Sequence, residues 1–202
     1  MQKKQKSKEE SAKEKIINTA FDLFAKKGIK DVSMREIAQA CKFSKPVLYY
    51  YFKDKEDLCY QMIRAKVEEE NIRIAELSKE KQNLEDFLIA LFTAYVEAVK
   101  KKNVLPFMLH LHSYLSAHPK MIKDLLNLRR AHKKLFMDIL QKETKRGLMA
   151  PAMEDTAFHL IKANLAHLIL DTEDYVGSFK ASYARNMARA VLRAVCYKGE
   201  IK

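Results

Sequence analysis

Apolar positions recur along this chain at intervals of three and four. In the first such stretch Ile17, Ala20, Phe21 and Phe24 share one helical face, with Ser11 and Glu14 as a capping box ahead of them and Gly28 as a stop. Ser33 and Glu36 repeat the capping pattern before Ile37 and Ala38, which predicts a short second helix ending at Cys41. A third runs from Ser44 to Tyr51, since Pro46 is tolerated only in a first turn, where its missing N–H costs nothing. Asp54, with Glu56 and Asp57 behind it, starts a longer fourth helix carrying Leu58, Met62, Ala65 and Ile72 up to the polar stretch Ser78 to Asn83. Further helices are expected from Leu84 to Lys101, Val104 to Ala117, Pro119 to Arg146, Met153 to near Asp171, and Ser178 to near Tyr197. No segment alternates as a strand would, so the expected fold class is all-α, with about nine helices.

Composition agrees with that pattern and narrows the partners. Only four Gly and four Pro in 202 residues argue against a turn-rich β fold. The formal net charge of +12 points to a polyanion or an acidic membrane surface. Cys41, Cys59 and Cys196 are odd in number and far apart, which suggests neither a disulfide framework nor a zinc knuckle and fits a reducing cytoplasm. Met1 to Glu10 is Lys- and Gln-rich and is expected to be a disordered basic tail, without the apolar run of a signal peptide. No stretch is apolar enough to span a bilayer, and no membrane partner is expected.

The two short helices between Ser33 and Tyr51 have the spacing of a helix-turn-helix whose second helix can enter a major groove. Its first turn offers Ser44, Lys45, Pro46 and Val47, a hydroxyl, a cation and two compact apolar surfaces suited to base edges. Tyr49, Tyr50 and Tyr51, then Lys53 and Lys55, add phenols and ammonium groups able to reach phosphate oxygens. The free N–H groups behind Ser33 offer another anion-binding point, with Arg35 in the same turn. The competing reading packs the aromatic run into a core; Leu48 and Phe52 are assigned there, whereas Tyr49 and Tyr50 are assigned to DNA.

Residues Ile17 to Leu58, above all Ser33-Met34-Arg35-Glu36-Ile37-Ala38 and Leu48-Tyr49-Tyr50-Tyr51-Phe52-Lys53-Asp54-Lys55, resemble the DNA-binding domain of the tetracycline-repressor (TetR) family. By that resemblance Ser33, Tyr49 and Lys55 would hold phosphates, while Arg35, Ser44, Lys45, Pro46, Val47 and Tyr50 would approach bases or neighbouring backbone. Lys42 stands where the family usually has Gly, and Tyr51 where His is frequent. A left-handed backbone at Lys42 would cost roughly 1 kcal/mol.

The resemblance further implies three segments: the tail 1–10, a helix-turn-helix domain 11–53, and a helical ligand-binding and dimerisation domain 54–202. Phe107, Met108, Leu111, Tyr114, Phe136 and Met137 are candidates for lining an effector cavity, being adaptable apolar or aromatic side chains on the implied helices. In the last two helices Phe158, Ile161, Leu165 and Leu168, and Ala184, Met187, Ala188, Val191, Ala194 and Val195, form stripes that either pair with a second subunit or bury within the monomer. Arg185, Arg189 and Arg193 are expected to face water. His110 and His112 point about 200° apart on a helix and do not read as metal ligands. No nucleophile elbow, phosphate loop or zinc-protease motif occurs, so neither an enzyme nor a cofactor is expected. The sequence therefore predicts a cytoplasmic, homodimeric repressor on a near-palindromic operator of double-stranded DNA, released by a small-molecule effector. A non-inducible structural or division-associated DNA-binding protein is the alternative.

Overall fold

The computed structural model describes residues 2–101, 103–170 and 182–201, and the side chains of 10–101, 103–123, 125–167 and 182–201 among them. Nine α-helices occur among the described residues: α1 Gln2–Lys27, α2 Met34–Cys41, α3 Lys45–Tyr51, α4 Lys55–Glu80, α5 Leu84–Val99, α6 Val104–Ser116, α7 Pro119–Lys145, α8 Glu154–Leu170 and α9 Ser182–Ala194, with a 3-10 turn at Pro151–Met153. The described residues contain no strand.

The first helix differs from expectation at its start. Ser11 lies inside α1, because the Lys, Gln and Glu residues before it are themselves good helix formers and outweigh one capping signal. The basic tail expected over 1–10 has its side chains, Glu10 apart, outside the described residues. Helix ends otherwise follow local chemistry. Gly28 takes φ +87° at the end of α1, and a Cβ there would meet His110 Nδ1 at 3.3 Å, so both backbone and packing favour glycine. Asp86 N–H donates to Asn83 Oδ1 at 2.8 Å and caps α5.

The chain divides into two compact units, Met1–Lys66 with Lys102–Leu125, and Val67–Lys101 with Leu126–Lys202. The first is held by α1 packed on α2 and α6 and by α2 packed on α3. Its buried side chains include Ile16, Phe24, Ile37, Leu48, Phe52, Leu58 and Met62, all at 0% exposure. Leu48 and Phe52 thus take the core roles assigned to them. The Phe21 and Phe107 rings meet at 4.7 Å, and Asn103 Nδ2 donates to Asp22 Oδ1 at 2.6 Å, fixing α6 on α1.

In the second unit α5, α8 and α9 pack against one another around Leu88, Leu91, Phe92, Phe136 and Ile161. Ala184, Ala188, Val191 and Val195 are buried in this core, as are Phe158, Ile161 and Leu165. The stripes read as possible subunit contacts are therefore spent largely inside the unit, with Met187 partly buried against it and Ala194 exposed. Leu168 and the expected helical start at Ser178 lie outside the described side chains or residues. Arg189 does not simply face water: its Nε donates to Glu85 Oε1 at 2.8 Å, and Glu85 is only 3% exposed.

Candidate nucleic-acid interface

The geometry of the surface between Ser33 and Tyr51 begins with two local decisions. Ser33 is extended at φ −97°, ψ 154°, and its Oγ accepts from Glu36 N–H at 3.2 Å. Only half of the capping box forms, because the Glu36 carboxylate instead accepts from Lys27 Nζ at 2.6 Å. At the other end of α2, Lys42 is left-handed at φ 59°, ψ 38°. Phe43 N–H reaches back to Ala38 O at 2.9 Å and Lys42 N–H to Gln39 O at 3.0 Å, a Schellman closure of the kind glycine usually supplies. The chain turns within Lys42 and Phe43 and enters α3, whose Ser44 cap is extended and whose second residue is Pro46.

This turn leaves α3 with one buried side chain, Leu48. Val47, Tyr49 and Tyr50 are among the large hydrophobic side chains that stay exposed, Tyr50 at 72% and Tyr49 at 48%. Ser44, Lys45 and Pro46 are exposed too, and the Ser44 hydroxyl makes no capping bond. Arg35 is exposed on α2, beside the exposed Ser33 at its N-terminus. Tyr51 is half-buried, its ring edge-on to Tyr50 at 5.0 Å. Thus Ser33, Arg35, Ser44, Lys45, Pro46, Val47, Tyr49 and Tyr50 all present side chains to the surface.

Lys55 is placed differently. Its Nζ donates to Lys30 O at 2.8 Å and Val32 O at 3.0 Å, so two of three ammonium donors are bound to the loop between α1 and α2. Helix α4 is started by Asp54, which accepts from Asp57 N–H at 2.8 Å, while Asp57 returns to accept from Lys53 N–H at 2.9 Å. Sequence reasoning missed Lys15, whose Nζ sits 5.0 Å from the Phe43 ring centroid and brings a cation of α1 beside the turn. No local pattern could reveal that contact, since it depends on how α1 crosses the turn.

The six cavity candidates fall in both units. Phe107, Leu111 and Tyr114 are buried and Met108 is partly buried in the first, while Phe136 is buried and Met137 half-buried in the second. Tyr114 stacks on His118 at 3.9 Å, and burial, aided by Cys59, Glu56 and Asp54, pushes its phenol up to about 12. A cleft of about 390 Å³ in the first unit is lined by Lys53, Asp54, Glu56, Asp57, Tyr60, Lys120 and Met121, none of them among those six. Burial also pushes the Cys59 thiol up to about 12, which leaves it a packing residue.

A two-turn helix, a closed left-handed turn and a second helix with one buried side chain define a helix-turn-helix. Residues 16–61 match the family model described as bacterial regulatory proteins, tetR family. The HTH-type transcriptional regulator YuxN of Bacillus subtilis (strain 168) is 50% identical over 48 residues, which cover 24% of this chain and 16% of YuxN. AcrR of Shigella flexneri is 34% identical over 58 residues, 29% of this chain and 27% of AcrR. Among solved structures, a TetR-family transcriptional regulator from Mesorhizobium loti is similar at TM-score 0.73 and 20% identity, covering 93% of this chain and 96% of its own. The fatty acid degradation regulator FadR from Bacillus halodurans gives TM-score 0.75 at 14% identity, covering 89% and 94%. The match to the TetR family thus falls on the N-terminal helix-turn-helix, and the all-helical fold is similar to that of these solved regulators. The matched stretches span under a third of the curated relatives' length.

Proposed function

We propose that the chain is a homodimeric transcriptional repressor that binds a near-palindromic operator in double-stranded DNA and leaves it when a small molecule binds. The observation that carries this reading is the exposure of α3, where Val47, Tyr49 and Tyr50 remain on the surface and Leu48 alone is buried. Exposed aromatic and apolar side chains cost stability unless a surface needs them, and a major groove offers thymine methyls, base edges and phosphates within reach of such a helix. Ser44, Lys45, Pro46, Val47 and Tyr50 face bases in this reading, with Arg35 at the groove edge. Ser33 and Tyr49 hold phosphates. Lys55 acts behind the interface by fixing the loop that presents Ser33.

Residues 11–53 form the reading domain, and 54–202 the ligand-responsive, dimerising part. Two subunits would set their recognition helices about 34–36 Å apart in successive major grooves. The outer faces of α8 and α9, with exposed Ala163, Ala166, Ala190 and Ala194, suit close helix approach between copies, their opposite faces being buried inside the unit. Release requires an effector that favours the non-binding arrangement by about 1–3 kcal/mol or more. The protein works in the cytoplasm and carries out no chemical step.

Footprinting on DNA flanking the chain's own gene, at two salt concentrations, tests the reading. A protected site of defined sequence that weakens with salt is the expected result. Uniform, unprotected binding at both concentrations rejects it.

A further inference from the structure

Successive side chains of a helix turn by about 100°, so the one buried residue of α3 fixes which others point outward. With Leu48 facing the core, Pro46 and Tyr50 each lie about 160° from it and form the outward ridge, four positions apart. Val47 stands on one flank, and Tyr49, with Lys45 a turn before it, on the other. Exposure follows this order: Tyr50 is 72% exposed, Tyr49 48% and Val47 37%, against 0% for Leu48. The Tyr50 ring meets Tyr51 edge-on at 5.0 Å, and Tyr51 meets the buried Phe52 at 6.5 Å. The ridge is therefore braced from the core.

The chemistry of this face is selective through what it lacks. Adenine is read by a bidentate Asn or Gln, and the cytosine amino group by Asp or Glu. Residues 44–51 contain none of these four. Lys45, the one cation of α3, suits guanine O6 and N7, but it stands on the flank. The side chains of Pro46 and Val47 carry no polar atom, and Tyr50 has a single hydroxyl at the tip of an apolar ring. The feature of a major-groove base edge that matches such surfaces is the C5-methyl group of thymine.

We propose that α3 reads its half-site chiefly through thymine methyl groups laid against Pro46, Val47 and the Tyr50 ring. The proposal rests on the reading of this surface as the operator-binding face, and it gives that operator its base composition. An A·T pair is then told from T·A by the strand that carries the methyl, with no hydrogen bond needed from the ridge. Each methyl withdrawn from water in this way gains about fourfold in affinity, from the transfer free energy of one such group.

The test uses the full chain and an operator selected with it from a random duplex pool. Thymines are replaced by uracil one at a time, which deletes the methyl and leaves every hydrogen-bonding group in place. In separate duplexes the paired adenines are replaced by 7-deazaadenine, which deletes the N7 acceptor. At two or more positions of each half-site uracil should weaken Kd about fourfold, whereas 7-deazaadenine at the same pairs should change it less than twofold. At least one of the uracil losses should shrink below twofold in Val47→Ser or Tyr50→Ser. Val47→Ala and Tyr50→Ala take their place should a serine variant not fold. The proposal is overturned if every thymine tolerates uracil within twofold, if 7-deazaadenine costs as much as uracil, or if the uracil losses are the same in the native chain and both variants. A pool that yields no preferred sequence rejects the operator reading and this proposal with it. A preferred sequence indifferent to uracil rejects the methyl readout alone, so the two fail distinguishably.

Discussion

Lys55 Nζ lies 3.0 Å from the carbonyl oxygen of Val32, so the first residue of α4 is tied to the residue just before the cap of α2. With its second bond, to Lys30 O, this lysine holds the loop whose exit sets the direction of Ser33. Lys55→Ala should therefore destabilise the chain by about 1–2 kcal/mol, through two lost charge-assisted bonds at a half-buried site. Urea unfolding measures this. Its effect on DNA should be a weaker affinity with an unchanged salt slope, whereas the loss of a phosphate contact would lower the slope of log K against log salt by about 0.9. An equal fall in slope for Lys55→Ala would return Lys55 to the phosphates.

Lys42 pays a backbone penalty for the turn, being left-handed in a position that closes α2. Lys42→Gly should raise stability by about 1 kcal/mol, as glycine adopts that region without a Cβ clash. The melting temperature in the absence of DNA shows it directly. If the variant binds DNA with the native salt slope, the exposed ammonium takes no phosphate; a slope lower by about 0.9 means that it does.

The parts legible in sequence are those decided within a few residues. Ser33, Pro46 and Asp54 each mark a helix start through their own side chains, and all three start helices where expected. Lys42 could be flagged because a single φ angle was at stake. What stayed hidden depends on crossings of distant helices. His132 finds Asn71 from 61 positions away and Lys162 from 30, and no periodicity records such a meeting. The stripe through Ala184, Ala188 and Val191 was visible as a stripe, yet spacing cannot say that α5 and α8 of the same unit cover it. The start of α1 went astray for a related reason: a cap at Ser11 is a local preference, and continuation of a run of helix formers opposes it.

Arg189 and Glu85 join α9 to α5 through a bond between a half-buried guanidinium and a carboxylate that is 3% exposed. Removing the cation leaves negative charge in the interior. Arg189→Met should thus cost about 2–3 kcal/mol, less than a fully buried pair because the arginine keeps some solvent contact. Adding Glu85→Gln to that variant should recover part of the loss, since the buried charge disappears. A double-mutant cycle by chemical denaturation supplies the coupling, and strict additivity of the two changes would remove the pair as a tie between these helices.

His132 gives the chain a pH-dependent contribution whose sign follows from its surroundings. Burial, and then the positive charge of Lys162, pull its imidazole down from 6.5 to about 4. Between those values the unfolded chain binds a proton that the folded chain refuses, so acid favours unfolding. The stabilisation is fully present above pH 6.5 and is lost as pH falls through 4. His132→Gln keeps a hydrogen-bonding side chain beside Asn71 and does not titrate, so its unfolding free energy should vary less between pH 6.5 and 4 than that of the native chain. The comparison is made by urea unfolding at half-unit pH steps. Carboxylates titrate in both proteins and cancel in the difference, which should grow steadily as pH falls across this window. A difference that stays flat from pH 6.5 to 4 would mean that the imidazole accepts its proton in the folded chain as readily as in the unfolded one, contrary to a ring held between Asn71 and the Lys162 ammonium.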